Sequence, residues 1–339
     1  MSIVTRDDVA KLAGVAPATV SNVINNKNNV SSKLKDKVMQ AIKELNYTPN
    51  LVARSLMTKS SKHIGLVMED LTNPHFAEMA KGVQYEASQY GYVLSINLAA
   101  RDIDQVVEDY ISRRVDGIIF NAYYNFISGY IMDKLKKSRI ACVCCGASNN
   151  TDLNFIGTDY YDGMVKAYTY MYNMGHRTIG YISGQNAEKK GGSFIDTRAA
   201  AYEWCCSKTD SFSINNIVFG STPYLTDNKA GYKYCKELLG RNANITAIIA
   251  ANDFMALGVL QYLREAKINI PEDMSIISFD NTVYAETSYP RLTSIGVSAF
   301  EIGRSALHNI MQQCTNEPFQ KEEWFSVDIT VRDTTSVSK

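Results

Sequence analysis

The chain has 339 residues, 45% of them apolar, and a mean hydropathy of -0.18. That is enough for a sizeable core and too much for one small domain, so two or three units are expected. No apolar run approaches the roughly 20 residues of a membrane span, and Arg6, Asp7 and Asp8 precede any apolar run, unlike a signal peptide. The zero net charge hides an asymmetry: residues 1–62 carry ten Lys and Arg against four Asp and Glu, a surplus of +6 that the remainder offsets. A basic head on an acidic body is what phosphate binding at one end requires.

Residues 4–30 read as two short amphipathic helices around a turn at Gly14. Thr5 can cap the first, with Asp8 closing a capping box and Asp7 adding charge that favours a helix start. Val9, Leu12 and Ala13 then share one face. Gly14 breaks that helix, and Pro17 stands where a second begins, the position that tolerates a missing N–H. Val20, Val23 and Ile24 form the second buried stripe, which leaves Pro17, Ala18, Ser21, Asn22 and Asn25 as a small uncharged outer surface. This is the helix-turn-helix pattern. A third helix, capped by Ser31 or Ser32, runs to about Leu45 with Leu34, Val38, Ile42 and Leu45 on one stripe. Pro49 ends it by pushing the preceding residue out of the helical region. Asn50 can cap a further helix through Leu56 or Met57. So short a helix orders only against something else, because isolated helices below about 12–15 residues are marginal; the alternative is a plain linker.

From His63 the pattern changes to alternating strands and helices. Buried strands are expected at 64–68, 92–97, 117–120, 140–144, 178–182, 217–219, 247–250 and 275–279. Helices are expected near 76–90, 106–113, 127–136, 163–174, 197–207, 229–239 and 254–266. Such alternation predicts two α/β lobes, each a doubly wound parallel sheet, with a cleft between them. Of the seven cysteines, Cys142 and Cys145 form a C-x-x-C with no second ligand pair at zinc spacing and no helix directly after it. Buried free thiols in a reducing cytoplasm, without metal or cofactor, are expected. No G-x-x-x-x-G-K-[ST], no G-x-G-x-x-G after the first strand and no G-x-S-x-G occurs, so an enzyme reading has no motif behind it.

Several stretches, in order, carry a family likeness: Asp8-Val9-Ala10-Lys11-Leu12-Ala13-Gly14-Val15, Ala18-Thr19-Val20-Ser21, Tyr47-x-Pro49-Asn50-x-x-Ala53-Arg54-x-Leu56 and Asn73-Pro74-His75-Phe76. They continue with Gly157-Thr158-Asp159, Gly175-His176-Arg177, Ala251-Asn252-Asp253-x-Met255-Ala256-Leu257-Gly258 and Pro271-Glu272-Asp273-x-Ser275-Ile276-Ile277-x-Phe279-Asp280. Over nearly its whole length the chain resembles bacterial transcriptional regulators of the lactose-repressor (LacI/GalR) family.

The resemblance implies an all-α helix-turn-helix head, residues 1–46, and a hinge helix with linker, 47–62. It also implies a periplasmic-binding-protein-like core, with a first lobe of 63–161 and 291–323 and a second of 162–290 and 324–339. In that arrangement Leu292–Ile295 and the helix after Ser298 rejoin the first lobe and the final strands the second. It implies a cytoplasmic homodimer on a pseudo-palindromic double-stranded DNA operator, with Leu56 wedged into the minor groove. The DNA-contacting positions so implied are Thr5, Ala16, Pro17, Ala18, Thr19, Ser21, Asn22, Asn25 and Val30 in the head, and Asn50, Ala53, Arg54 and Leu56 in the hinge. Two departures stand out: Ala16 where the family usually has Ser, and Asn22 where it usually has Arg. Asparagine pairs bidentately with adenine rather than guanine, so a different half-site base is expected there; contact with phosphate alone is the alternative.

Ligands bind beyond the carboxyl ends of strands in open α/β sheets. The loops at 73–76, 121–126, 159–161, 184–196, 251–253 and 280–281 are therefore expected to line the cleft. Aromatic faces among them, with amides and carboxylates, suit a sugar, and would also suit a nucleoside. By resemblance Arg198, Asn252 and Asp280 bind the effector, with His75 and Phe76 as the first-lobe wall. Asn73, Tyr123, Asp159 and Tyr160 complete the set. The expected function is a DNA-binding repressor controlled by a small effector, a sugar or its derivative, acting as inducer or corepressor. The alternative is control by a phosphorylated carrier protein on the first lobe. Seven residues after Arg332 are too few for a tetramer-forming heptad tail, so a dimer is expected.

Overall fold

The computed structural model describes the chain except residues 1–3, 25–29, 49–54, 56–59, 69, 99–101, 122–126, 147–152, 191–192, 195, 210, 212, 221–225 and 339. The chain divides into a head, Met1–Ser61, and a body, Lys62–Lys339.

In the head, helices α1 (Arg6–Ala13), α2 (Pro17–Ile24) and α3 (Ser32–Glu44) enclose a small core. The capping box forms as the sequence predicts: Thr5 Oγ1 accepts from the Asp8 amide, and the Asp8 carboxylate accepts from the Thr5 amide. Gly14, at φ 66°, closes α1, and the Val15 amide reaches back to the Ala10 carbonyl at 3.0 Å. Val9, Val20 and Val38 are fully buried, each contributing roughly 1.5–3 kcal/mol relative to exposure.

Three expectations about the head need correction. Leu12 is 47% exposed and Leu34 37%, while Ala10 and Ala41 fill the core instead. In so tight a three-helix crossing, a methyl fits where a leucine does not. The third helix ends on Asn46 rather than Pro49: Asn46 turns left-handed at φ 48°, and the Tyr47 amide bonds the Ile42 carbonyl at 3.0 Å. Tyr47 then packs against the head core and so belongs with the head rather than the hinge. The expected hinge lies almost wholly outside the described residues.

The body begins with β1 (His63–Met68), α4 (Pro74–Gln89), β2 (Val93–Leu98), α5 (Ile103–Ser112), β3 (Gly117–Asn121), α6 (Gly129–Ser138), β4 (Ala141–Cys145) and β5 (Asn154–Thr158). Then follow α7 (Tyr160–Asn173), β6 (Ile179–Ile182), a hairpin of β7 (Lys189–Lys190) and β8 (Ser193–Phe194), α8 (Thr197–Lys208), β9 (Ile217–Val218) and α9 (Asn228–Arg241). The chain finishes with β10 (Ala247–Ala250), α10 (Asp253–Glu265), β11 (Ser275–Phe279), α11 (Val283–Thr287), β12 (Thr293–Gly296), α12 (Ala299–Thr315), β13 (Glu322–Phe325) and β14 (Asp328–Thr330).

Two six-stranded sheets result, in the orders β13-β5-β4-β3-β1-β2 and β14-β12-β11-β10-β6-β9, parallel throughout except for β14. Their central strands are apolar on both faces, as burial between two helix layers demands. Strand order reverses at β1/β3 in the first sheet and at β6/β10 in the second. There the following loops part in opposite directions and leave a crevice at the carboxyl ends.

Each lobe is pinned by a pair of glycines on crossing helices. A Cβ on Gly82 would lie 2.0 Å from the Phe300 carbonyl oxygen, and one on Gly303 2.1 Å from that of Met79. In the second lobe, a Cβ on Gly231 would lie 1.9 Å from the Met255 carbonyl oxygen, and one on Gly258 1.8 Å from that of Asn228.

The lobe exchange differs from the expectation at two strands. Residues 293–296 form β12, which pairs with β11 in the second sheet, not the first. Its polar side chains are satisfied there, Ser294 by Asp253 and the Thr293 amide by Thr334. Trp324 and Phe325 pair with β5 in the first sheet, so the last two strands split between the lobes. The sequence reading also missed β5, a short strand whose Gly157 leaves room for the rings of Phe155 and Trp324. The cysteines are free, and Cys314 is the exposed one. Burial pushes the Cys142 thiol up to about 12, which leaves it inert at neutral pH.

Candidate ligand cleft and DNA-reading surface

On the head, Ala16, Pro17 and Ala18 are exposed at the start of α2, and Thr19, Ser21 and Asn22 are half-buried beside them. The Ala16 carbonyl accepts the first bonds of α2, from Thr19 and Val20, but no side chain caps it. The hydroxyl of Thr5 is engaged in its capping box, and Val30 packs partly into the head core. Asn25, Asn50, Ala53, Arg54 and Leu56 lie outside the described residues. What remains is an uncharged helix N-terminus on a unit rich in lysine, the form of a recognition helix flanked by phosphate-binding charge.

In the body, the cleft chemistry converges from strand ends. Asp196, which caps α8, is buried and accepts from Tyr181 Oη at 3.0 Å and Ser183 Oγ at 2.7 Å. Its other oxygen accepts the Arg198 amide and lies 3.5 Å from Arg198 Nε, an approach too poorly aligned for a hydrogen bond. Arg198 Nη1 donates to the Ala251 carbonyl at 2.7 Å, and the guanidinium lies 4.7 Å from the centre of the Tyr160 ring. Burial opposes its charge, but the surrounding carboxylates outweigh that and hold its pKa above the ordinary arginine value. Tyr160 in turn donates to Asp280 Oδ1 at 3.3 Å, and burial beside that carboxylate raises its phenol pKa.

Asp280 follows β11 with φ 93°, a conformation that costs a non-glycine residue on the order of 1–3 kcal/mol and persists only when neighbours impose it. Its amide bonds the Ile295 carbonyl at 2.7 Å, and a Cβ on Gly296 would come within 2.6 Å of the Asp280 carbonyl. Behind it, the buried carboxylate of Asp253 accepts from Ser278 Oγ, Ser294 Oγ, the Thr282 amide and Thr282 Oγ1, at 2.5, 2.7, 2.6 and 2.8 Å. Burial, followed by the Asp280 charge, pushes Asp253 up to about 6.

From the first lobe, Asn73 caps α4 by accepting the His75 amide at 3.0 Å, which presents His75 toward the second lobe. His75 Nδ1 is buried, has no hydrogen-bond partner and stands 3.9 Å from Asp280 Oδ1. Phe76 meets the His75 ring edge-on and otherwise packs into the first-lobe core. Tyr284 Oη donates to the Thr72 carbonyl at 3.4 Å, a second link between the lobes.

The structure thus joins His75, Tyr160, Arg198 and Asp280 directly. Asn73, Asp159 and Asn252 are helix caps first: Asp159 accepts the Asp162 amide, and Asn252 accepts the Met255 amide while donating to the Thr226 carbonyl. Tyr123 lies outside the described residues. Sequence reasoning missed Asp196 and Asp253 as the groups that orient the site, although each stands at a helix start, where acids are common for ordinary reasons. It also passed over Asn121 as a named site residue, a polar side chain ending an otherwise apolar strand. Among the described residues there is no cluster able to hold a metal ion and no helix long and apolar enough to cross a membrane.

Residues 5–50 match the description of bacterial regulatory proteins of the lacI family, and residues 168–335 match a periplasmic binding protein-like domain. The HTH-type transcriptional repressor PurR of Haemophilus influenzae is 32% identical over 336 residues, covering 96% of each chain. Catabolite control protein A of Priestia megaterium is 31% identical over 327 residues, covering 93% of each. Both relatives are regulators by name, not enzymes. The Lac repressor dimer bound to operator and the anti-inducer ONPF shares the fold at a TM-score of 0.85, with 24% identity over 99% of this chain and 100% of that one. With a helix-turn-helix head and a two-lobed body in one chain, and relatives matched along its length, the chain belongs to the lacI family of bacterial regulatory proteins and is a DNA-binding transcriptional regulator.

Proposed function

We propose that the protein is a homodimeric repressor whose two heads read a pseudo-palindromic operator through α2, and whose operator affinity is set by a sugar or sugar derivative held between the lobes. The observation that carries the effector reading is the junction of His75 with Asp280, Tyr160 and Arg198, because groups from both lobes meet there. A ligand hydroxyl between His75 and Asp280 would exchange a direct interlobe contact for a bridged one and so bind open and closed bodies unequally. That inequality is what a population shift requires. Relatives offer precedents: one solved structure of the same fold is a complex of CelR with cellobiose, at a TM-score of 0.70 and 24% identity over 98% of this chain and 99% of that one.

Dimerisation is supported by exposed apolar groups on the body. The edge strand β2 exposes Ile96 and Leu98 on one face, by 40 and 53%, and Val93 on the other, by 60%, and Tyr85 and Tyr90 are exposed as well. Large apolar side chains left exposed together along one edge strand mark an association surface. Control by a phosphorylated carrier protein has less behind it: Arg304, on α12 of the first lobe, already pairs with Glu86 at 3.0 Å and Glu301 at 3.2 Å.

The test has two steps. Selection from a random DNA pool defines the operator, and the half-site is expected to depart from the usual family one at the base Asn22 reaches. Recovery of the usual half-site, unchanged with Asn22→Ala, would remove that assignment. A thermal-shift screen of sugars and their phosphates follows, with operator binding measured for each hit. If no sugar changes operator affinity, the effector reading is wrong.

A further inference from the structure

The charge and the unpartnered atoms of the cleft say more about the ligand than its aromatic lining does. Two carboxylates, Asp196 and Asp280, bear on Arg198, and a third, Asp253, stands behind Asp280. One guanidinium faces them. The guanidinium is also already engaged on two sides. A carboxylate or phosphate is held by two parallel N–H groups on one edge of the fork. Nη1 is already bonded to the Ala251 carbonyl, and the Nε edge lies against Asp196 at 3.5 Å.

The buried polar atoms left without a hydrogen bond among the described residues are His75 Nδ1, Asn121 Oδ1 and Arg198 Nε. Asn121 is the last residue of β3, beside the point where the first sheet reverses its order, and is 5% exposed. Among the described residues its amide nitrogen meets the Met79 sulfur, at 3.0 Å, which is a weak acceptor. An amide buried this way costs about 1–3 kcal/mol unless it is satisfied.

We infer that the cleft takes an uncharged polyhydroxylated ligand, a free sugar rather than a sugar phosphate or uronate, with Asn121 binding one hydroxyl from the first lobe and Asp280 another from the second. Hydroxyls both donate and accept, so they satisfy a carboxylate and an amide without adding charge to a site that already has a surplus of negative charge. A phosphoryl group would enter against those carboxylates, and the Nε side of the guanidinium already faces Asp196. The inference deepens the effector reading above and rests on it.

The test is calorimetry and thermal shift on the full chain with matched pairs: glucose and glucose 6-phosphate, fructose and fructose 6-phosphate, ribose and ribose 5-phosphate, galactose and galacturonate, with the nucleosides adenosine and guanosine as uncharged probes of a base-binding site. A neutral sugar is expected to bind at least tenfold more tightly than its charged partner. Asn121→Ala is expected to weaken that sugar at least tenfold while leaving operator affinity without sugar unchanged. Asp280→Asn is expected to narrow the gap between neutral and charged partners. Tighter binding of the charged member overturns the charge argument alone, and unchanged affinity in Asn121→Ala overturns the role of Asn121. Binding of a nucleoside with no sugar bound overturns the sugar reading itself.

Discussion

His75 Nδ1 and Asp280 Oδ1 lie 3.9 Å apart, on opposite lobes of the body, with both side chains largely buried. The pair is close enough to sense the angle between the lobes and too far apart to be a completed hydrogen bond. Asp280→Ala is therefore expected to leave operator binding intact and to abolish the response to effector. His75→Ala should weaken effector by about tenfold, roughly 1.4 kcal/mol, with operator affinity without effector unchanged. Fluorescence anisotropy on a selected operator, with and without the sugar, reads both. A surviving response in Asp280→Ala would remove that residue from the cleft.

Asp253 gives a pH signature. Its folded pKa of about 6 lies above the ordinary 3.8, so the native state holds its proton more readily than the unfolded chain. The stability this adds is fully present below 3.8 and is lost as pH rises through about 6. Between pH 5 and 7 the loss is on the order of 1 kcal/mol. Asp253→Asn removes an acceptor from four donors, and its amide N–H groups would face the Thr282 amide. The expected cost at pH 7 is about 2–4 kcal/mol, rising by about 1 kcal/mol at pH 5. Urea melts at the two pH values measure it; a cost that is smaller at pH 5 contradicts the assignment.

Gly231 and Gly258 set propensity against packing. Alanine is favoured over glycine in a helix by about 1 kcal/mol. Here the added methyl would lie within 1.9 Å of a carbonyl oxygen on the facing helix. Overpacking of that kind costs about 1–3 kcal/mol or more, so Gly231→Ala and Gly258→Ala should each lower stability by about 2 kcal/mol. Gly240, exposed on the same helix as Gly231 with nothing near it, is the control. Gly240→Ala should be neutral or stabilising by up to about 1 kcal/mol, as thermal melts will show.

The exposed edge of β2 yields a prediction about assembly. Ile96→Lys with Leu98→Lys places two charges on one face of β2, where both side chains are exposed. Sedimentation velocity should show a dimer for the unaltered protein and a monomer for the variant, with operator affinity reduced at least a hundredfold. An unchanged dimer would assign the interface elsewhere.

The amino-acid sequence by itself determined most of the elements and the class of fold. The reason is that hydrophobic period, caps and glycine or proline breaks act within a few residues. Thr5 with Asp8, the turn at Gly14, and the apolar runs of β1, β3, β10 and β11 could all be read that way, as could the basic head. Tertiary structure decided what depends on partners distant in the chain. Leu12 reads as sharing the buried face of α1 with Val9 and Ala13, yet it is exposed and Ala10 is buried in its place. Thr293–Gly296 joins the second sheet because Ser294 meets Asp253, 41 residues earlier. Asp280 was legible as a site residue. The backbone that presents it depends on Asp253, Ile295 and Gly296, which periodicity treats as an ordinary helix start and an ordinary strand. Asn121 opens a loop that the sequence already assigns to the cleft, and only the fold leaves its side-chain oxygen buried with no hydrogen bond among the described residues.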